Sequence, residues 1–200
     1  MNASESGAVV VLASGSPQRR EMLDRLGVAF DVIPSGCEEI VHGDPAEIVV
    51  ANALLKARSV ARPGVTTIGA DTDVVIEGHL IGKPEDEVRA REYLAQLSGR
   101  EHSVLTGLAV IGPDPEQANT RLVETKVAFR NLDAEAIERY LASGEWRDRA
   151  GGYAIQGLGA SLVASVEGDV SNVIGLPVGA LLELVPDLLE GTPGDQGTGS

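Results

Sequence analysis

The sequence predicts an α/β protein, a two-lobed mixed-sheet fold with a central ligand-binding cleft. Three observations carry that prediction. An apolar run, Val9-Val10-Val11-Leu12-Ala13, passes through a small-residue turn into an amphipathic run beginning at Arg19. Two strand-like stretches, 103–111 and 121–129, flank a Gly112-Pro113-Asp114-Pro115 turn. Helical patterns stand on both sides of that β-rich middle, and two αβ portions around it leave a cleft where ligands commonly bind. The 200 residues read as one domain over 8–190, with polar, glycine-rich tails at 1–7 and 191–200.

Taken in order, the first strand feeds Ser14-Gly15-Ser16-Pro17, where Ser16 suits the N-cap and Pro17 the first helical position. A strand, a small-residue turn and a helix N-terminus make a ready anion site. On that helix Arg19 shares a face with Met22, Leu23 and Leu26, whereas Arg20 pairs with Asp24 on the solvent side. A second strand lies near 30–33. Asp44-Pro45-Ala46-Glu47 then starts a helix running to about Ala61, with Asn52 and Lys56 one turn apart. Residues 65–70 form a strand that delivers Asp71-Thr72-Asp73 and continues extended to a turn at Glu77-Gly78-His79, and 80–84 reads as irregular. A helix over 86–97 stops at Ser98-Gly99. After the long β pair, Asp133 caps a helix ending near Gly144. A strand over 160–166, a Gly168-Asp169 turn and a helix over 177–189 finish the fold.

Composition narrows the function. The net charge of -14 argues against a nucleic-acid or anionic-membrane surface, yet allows a small anion held in a local basic cluster, together with a divalent cation. Aromatics at 3% leave no stacking platform for single strands. The lone Cys37 builds neither a disulfide nor a multi-cysteine metal site, and His42, His79 and His102 lack metal-ligand spacing. No apolar run reaches membrane-spanning length and no signal-peptide pattern opens the chain, so a cytoplasmic protein is expected.

Several polar residues stand where chemistry is possible, each with a plainer reading beside it. Period two puts Asp71 and Asp73 on one strand face and Thr72 on the other. Acids at the end of a buried strand either hold a metal or take a proton from water, or they only cap a turn. Lys83, between Gly82 and Pro84, either reaches a ligand or lies on the surface. Glu38 and Glu39 follow a strand and are either ligands or solvated. Gln156 either reads a base edge, since its amide donates and accepts, or ties down a glycine-rich loop. His102 and Trp146 read as packing or surface residues.

The joint order of these segments resembles the Maf (septum formation) family of nucleoside triphosphate pyrophosphatases. The matching blocks are Leu12-Ala13-Ser14-Gly15-Ser16-Pro17 with Arg19, Gly69-Ala70-Asp71-Thr72, Gly82-Lys83-Pro84, and Leu97-Ser98-Gly99-Arg100 with Thr106-Gly107. The last are Ala150-Gly151-Gly152-Tyr153-Ala154-Ile155-Gln156-Gly157 and Ser171-Asn172-Val173-Ile174-Gly175-Leu176-Pro177. The resemblance covers residues 8–189 and implies an inosine triphosphate pyrophosphatase-like fold. It also implies cleavage of a pyrimidine or modified nucleoside triphosphate between the α and β phosphates, with Mg2+ or Mn2+, by a homodimer. Asp71 matches the family's proton acceptor and, with Glu39, its metal position. Arg19, Glu39, Lys56 and Lys83 match its substrate- and metal-site positions, and the turn from Ser14 to Ser16 would hold phosphate oxygens with Arg19. Thr72 and Gln156 match positions tied to base choice in the dTTP/UTP-preferring branch. Two departures stand out: Gln18 replaces the Arg usual after Ser-Pro in that branch and so bears on base selection, and Asp73 replaces an apolar residue. The alternative from another class is a nucleotide-sensing regulator of cell division that binds a triphosphate without cleaving it.

Overall fold

The computed structural model describes residues 9–190; the tail segments read at 1–7 and 191–200 lie outside them. Its elements are β1 (Val9–Leu12), α1 (Pro17–Arg25), β2 (Phe30–Val32), α2 (Pro45–Val60), β3 (Val65–Ile76), β4 (His79–Ile81), α3 (Glu87–Leu97), β5 (Glu101–Ile111), β6 (Ala118–Phe129), α4 (Ala134–Ser143), β7 (Val163–Glu167), α5 (Val170–Ile174) and α6 (Val178–Leu184). They form a seven-stranded mixed sheet in the order β2-β1-β3-β5-β6-β7, with β4 also beside β3. The β1–β2 and β1–β3 pairs are parallel and the other ladders antiparallel.

Alternation along β3 sorts the layers. Thr67, Gly69, Asp71 and Asp73 face α2, while Ile68, Ala70, Thr72 and Val74 face the other helices. On that second face two apolar clusters stand side by side. One gathers Leu12, Leu23, Ile68, Leu108, Leu176 and Leu181 under α1 and α6; the other gathers Val74, Leu94, Leu97, Phe129, Tyr140 and Trp146 under α3 and α4. These are the two lobes, and β3 and β5 run beneath both. Helix α2 lies so close to the sheet that only glycine fits below it. A Cβ on Gly107 would stand 2.0 Å from the Val49 carbonyl oxygen, and one on Gly69 would stand 2.3 Å from that of Ala53.

One edge of β3 is interrupted. Strand β1 pairs with residues 65–68, and β4 pairs with 74–76 on the same side. Between them Gly69 to Asp73 have no strand neighbour on that edge among the described residues. Side chains from both faces of the sheet therefore meet at one opening.

Four readings need correction. Residues 79–81 are a strand rather than irregular, because Glu77 and Gly78, at φ 51° and 80°, make the doubly left-handed turn that suits a tight hairpin. The last strand starts at Val163, since the Glu145 carboxylate accepts from the Leu158 and Gly159 N–H groups (2.9 and 3.0 Å) and holds 157–162 in a 3-10 turn. Asp169 does more than turn: its carboxylate accepts from Ser171 N–H at 2.7 Å and caps the short α5. The final helix stops at Leu184 and resumes as a 3-10 turn from Pro186, which has no N–H to continue it.

Candidate functional site

The turn after β1 delivers its residues to the opening, though not with the capping foreseen. Ser16 occupies the N-cap of α1 without a side-chain cap bond. Its hydroxyl donates to Gln18 Oε1 (2.9 Å), and its N–H donates to Ser14 Oγ (3.1 Å). The first turn of α1 is thus left uncapped by side chains beside the cavity, as an anion-receiving helix end requires. Arg19 is buried, as its place on the apolar face of α1 dictates, and Arg20 pairs with Asp24 in solvent at 3.7 Å.

Arg19 fastens three segments. Its guanidinium donates to the Gly175 carbonyl (2.7 Å), Ser14 Oγ (3.2 Å) and Thr72 Oγ1 (3.0 Å). Burial lowers its pKa below the ordinary arginine value, while Asp71 and Glu39 pull the other way. Thr72 passes the chain inward: its hydroxyl meets Thr106 Oγ1 at 2.9 Å, and Thr106 donates to the Asn172 carbonyl at 3.4 Å. Asn172, fully buried, donates to the Val104 carbonyl and to Thr125 Oγ1, each at 3.0 Å. This polar seam runs between the two apolar lobes.

Asp71 lies on the opposite face of β3 and meets α2. Lys56 Nζ stands 2.5 Å from Asp71 Oδ1 and 2.8 Å from Glu39 Oε1, and Asn52 donates to Asp71 Oδ2 at 3.2 Å. Asp71 and Lys56 are buried, whereas half of the Glu39 side chain is exposed. A buried ion pair gains little over an apolar pair but is costly to break, so its retention points to use rather than to stability. Asn52 was noted only as a neighbour of Lys56, and its structural part was missed. Its amide accepts from Ile40 N–H (2.8 Å) and donates to the Ile40 carbonyl (3.0 Å), clipping the loop that carries Glu39 onto α2. A neutral amide on the buried face of a helix was the available signal.

Asp73 shares the face of Asp71; burial first, then Asp71 and Glu39, raises its pKa to about 7 against the pull of Lys56 and Lys83. His102 and Trp146 are packing residues. His102 Nε2 meets the Tyr153 hydroxyl at 2.8 Å, and burial holds its pKa down at about 4. The same burial raises the Tyr153 pKa.

The opening holds a cavity of about 650 Å³, lined by Ser14, Ser16, Gln18, Arg19, Glu39, Lys56, Thr72, Lys83 and Gln156. The structure thus brings every residue singled out from the sequence as a substrate-binding or specificity position to one wall or another, while Asp71 is not itself part of the cavity lining and is paired to Lys56, which is. Arg147 and Arg149 line it as well. Sequence reasoning missed both; two arginines just before Ala150-Gly151-Gly152 were the signal. No three His, Cys, Asp or Glu side chains converge as a cation cage among the described residues.

An α/β sheet with an open helix end and five cationic side chains around one cavity defines a protein built to hold a multiply charged anion over a buried acid. The chain belongs to the Maf family: the model for Maf-like protein matches residues 9–188. Among its relatives, a dTTP/UTP pyrophosphatase of Moorella thermoacetica is 49% identical over 181 residues, covering 88% of this chain and 93% of that one. The dTTP/UTP pyrophosphatase of Deinococcus radiodurans is 44% identical (91% and 94% covered), and that of Pyrococcus furiosus 45% (88% and 93%). Among solved structures, the Staphylococcus aureus Ham1 protein matches with a TM-score of 0.44 and 16% identity, over 60% of this chain and 71% of that one. No helix among the described residues is long and apolar enough to cross a membrane.

Proposed function

We propose that this chain is a nucleoside triphosphate pyrophosphatase that hydrolyses dTTP and UTP between the α and β phosphates, releasing the monophosphate and pyrophosphate. The observation that carries the reading is Asp71 held against Lys56 and Asn52 at the interrupted edge of β3, under a cavity walled by cations. In this reading 8–190 acts as one catalytic domain, in the cytoplasm and as a homodimer.

Asp71 orients the attacking water and takes its proton as oxygen adds to the α phosphorus and the bond to the β phosphate breaks. The first turn of α1, Ser14, Ser16 and Arg19 hold phosphate oxygens on one side. Lys83, with Lys56, neutralises charge that builds on the departing pyrophosphate. Thr72 and Gln156 face the base, and Gln18 lines the same cavity.

Glu39 and Asp71 fit a divalent cation, Mg2+ or Mn2+. Such ions commonly take one or two carboxylates and complete their shell with substrate phosphates and water. The Lys56 ammonium, within 2.8 Å of Glu39 and 2.5 Å of Asp71, already marks this spot as one that favours positive charge. When bound, the ion would neutralise phosphate charge and acidify a nearby water.

The test is pyrophosphate release under magnesium from dTTP, UTP, CTP, 7-methyl-GTP and the standard purine triphosphates, by wild type and Asp71→Asn. Wild type is expected to prefer dTTP and UTP, and the variant to lose turnover while still folding, with a lowered melting temperature because Lys56 loses its buried charged partner. Near-wild-type turnover in the variant would remove Asp71 from the chemistry. A best rate on 7-methyl-GTP would move the substrate class, and no release from any triphosphate would leave a non-catalytic nucleotide sensor.

A further inference from the structure

The five cations around the cavity are not equally available. Arg19 is committed to Gly175, Ser14 and Thr72, and Lys56 to Asp71 and Glu39. Arg147 stacks its guanidinium over the Trp146 ring, 4.6 Å from the centroid. Lys83 and Arg149 line the same cavity, and among the described residues neither side chain has an ion-pair or hydrogen-bond partner. A cation that lines a cavity and is left without a protein partner is one whose charge is still to be met. The two are also fastened together. Gly151 N–H donates to the Gly82 carbonyl at 3.0 Å, joining the backbone one residue before Lys83 to that two residues after Arg149. Gly151 sits at φ 67°, and a Cβ there would stand 2.9 Å from Val74, so this junction is set against the strand. Asp148, between the two arginines, also lines the cavity and holds φ 59°, a left-handed backbone that a non-glycine residue seldom adopts.

We infer that Arg149 is a further substrate-binding residue, which joins Lys83 in holding the β and γ phosphates that leave as pyrophosphate. This rests on the triphosphate reading above. Planar guanidinium donors suit two phosphate oxygens at once, whereas the Lys83 ammonium acts as a point charge. The part of the wall bearing Lys83 and Arg149 thereby carries the unspent charge, and the more negative end of the substrate belongs there.

The experiment is calorimetric binding of α,β-methylene-dTTP and of dTMP, in magnesium buffer, to wild type, Arg149→Met and Arg149→Lys, with melting temperatures alongside. In Arg149→Met the Kd for the triphosphate analogue should rise by about ten- to a hundredfold, the range of a charged hydrogen bond. The Kd for dTMP should move less than about threefold, and Arg149→Lys should recover only part of the loss, as a charge without the fork. An unchanged analogue Kd in Arg149→Met, or an equal loss for dTMP and the analogue, overturns the assignment alone. Wild type that fails to bind the analogue overturns the triphosphate reading and the assignment with it. Arg149→Gln, which keeps a polar side chain, carries the same comparison if Arg149→Met melts early.

Discussion

Asn52→Leu offers a sharp test of how the site is held. The substitution keeps the branched heavy-atom skeleton, so the loss of three hydrogen bonds is its main effect. The bond to the Asp71 carboxylate, at 3.2 Å, is of the charged kind and contributes about 1.5–3 kcal/mol. The two bonds to the Ile40 peptide count less, about 0.5 kcal/mol each, because that residue is 42% exposed and water can replace the amide. Burying a leucine in place of an amide returns about 1 kcal/mol. The net cost is about 1.5–3 kcal/mol, or a melting temperature lowered by roughly 3–12 °C at this chain length. Function should suffer beyond that loss, since the loop carrying Glu39 is no longer clipped to α2. Thermal melts and pyrophosphate-release kinetics read the two effects separately, and kcat/KM at 25 °C, where the variant is folded, should fall about tenfold or more. A melting temperature within a degree of wild type and unchanged kcat/KM would refute the reasoning. A lower melting temperature with full activity would reduce Asn52 to a structural residue.

Other consequences are as direct. Gly107→Ala drives a Cβ to 2.0 Å from the Val49 carbonyl, and α2 must lift from the sheet; a loss above about 3 kcal/mol is expected in urea denaturation. His102 has its folded pKa near 4, below the ordinary 6.5, so the unfolded chain takes the proton first. Its contribution to stability is intact above pH 6.5 and is lost as the pH falls towards 4, about 3 kcal/mol in all. His102→Gln should flatten the urea midpoint across that window, and an equally steep wild-type and variant profile would rule His102 out. Gln18→Arg adds a cation beside the α1 turn and should lower KM for dTTP and UTP more than for purines in the same triphosphate panel. Glu145→Gln weakens the clamp on Leu158 and Gly159 and should raise KM, through the loop bearing Gln156, while sparing kcat.

What the sequence made legible was whatever a local rule governs. The apolar face of α1 placed Arg19 inward, and strand alternation separated Asp71 from Thr72. Asp44 and Asp133 each cap the helix that follows, and Asp86, read as the first helical residue, is the cap of α3. Other features depend on partners far along the chain. The 3-10 turn at 157–162 exists because Glu145 reaches it, and no local pattern at 160–166 could reveal that acceptor. The commitment of Arg19 to Gly175 spans 156 positions, so its place was readable while its bonds were not. The same holds for Arg149, whose role depends on a cavity that only the folded sheet creates. The Ser16 case differs: the N-cap position was legible, but Gln18 captures the hydroxyl that would have closed it.

The unbroken strands have a bearing on how the enzyme moves. Because β3 and β5 pass beneath both apolar clusters, the halves of the cleft share one pleated plate. Opening them like a jaw would shear a ladder that registers residue by residue from Thr67 to Val75. The segments that lie outside that ladder are the loop clipped by Asn52 and the glycine-rich segment latched to Gly82. Substitutions that loosen either clip are expected to alter product release, read as a changed pre-steady-state burst, before they alter the chemical step.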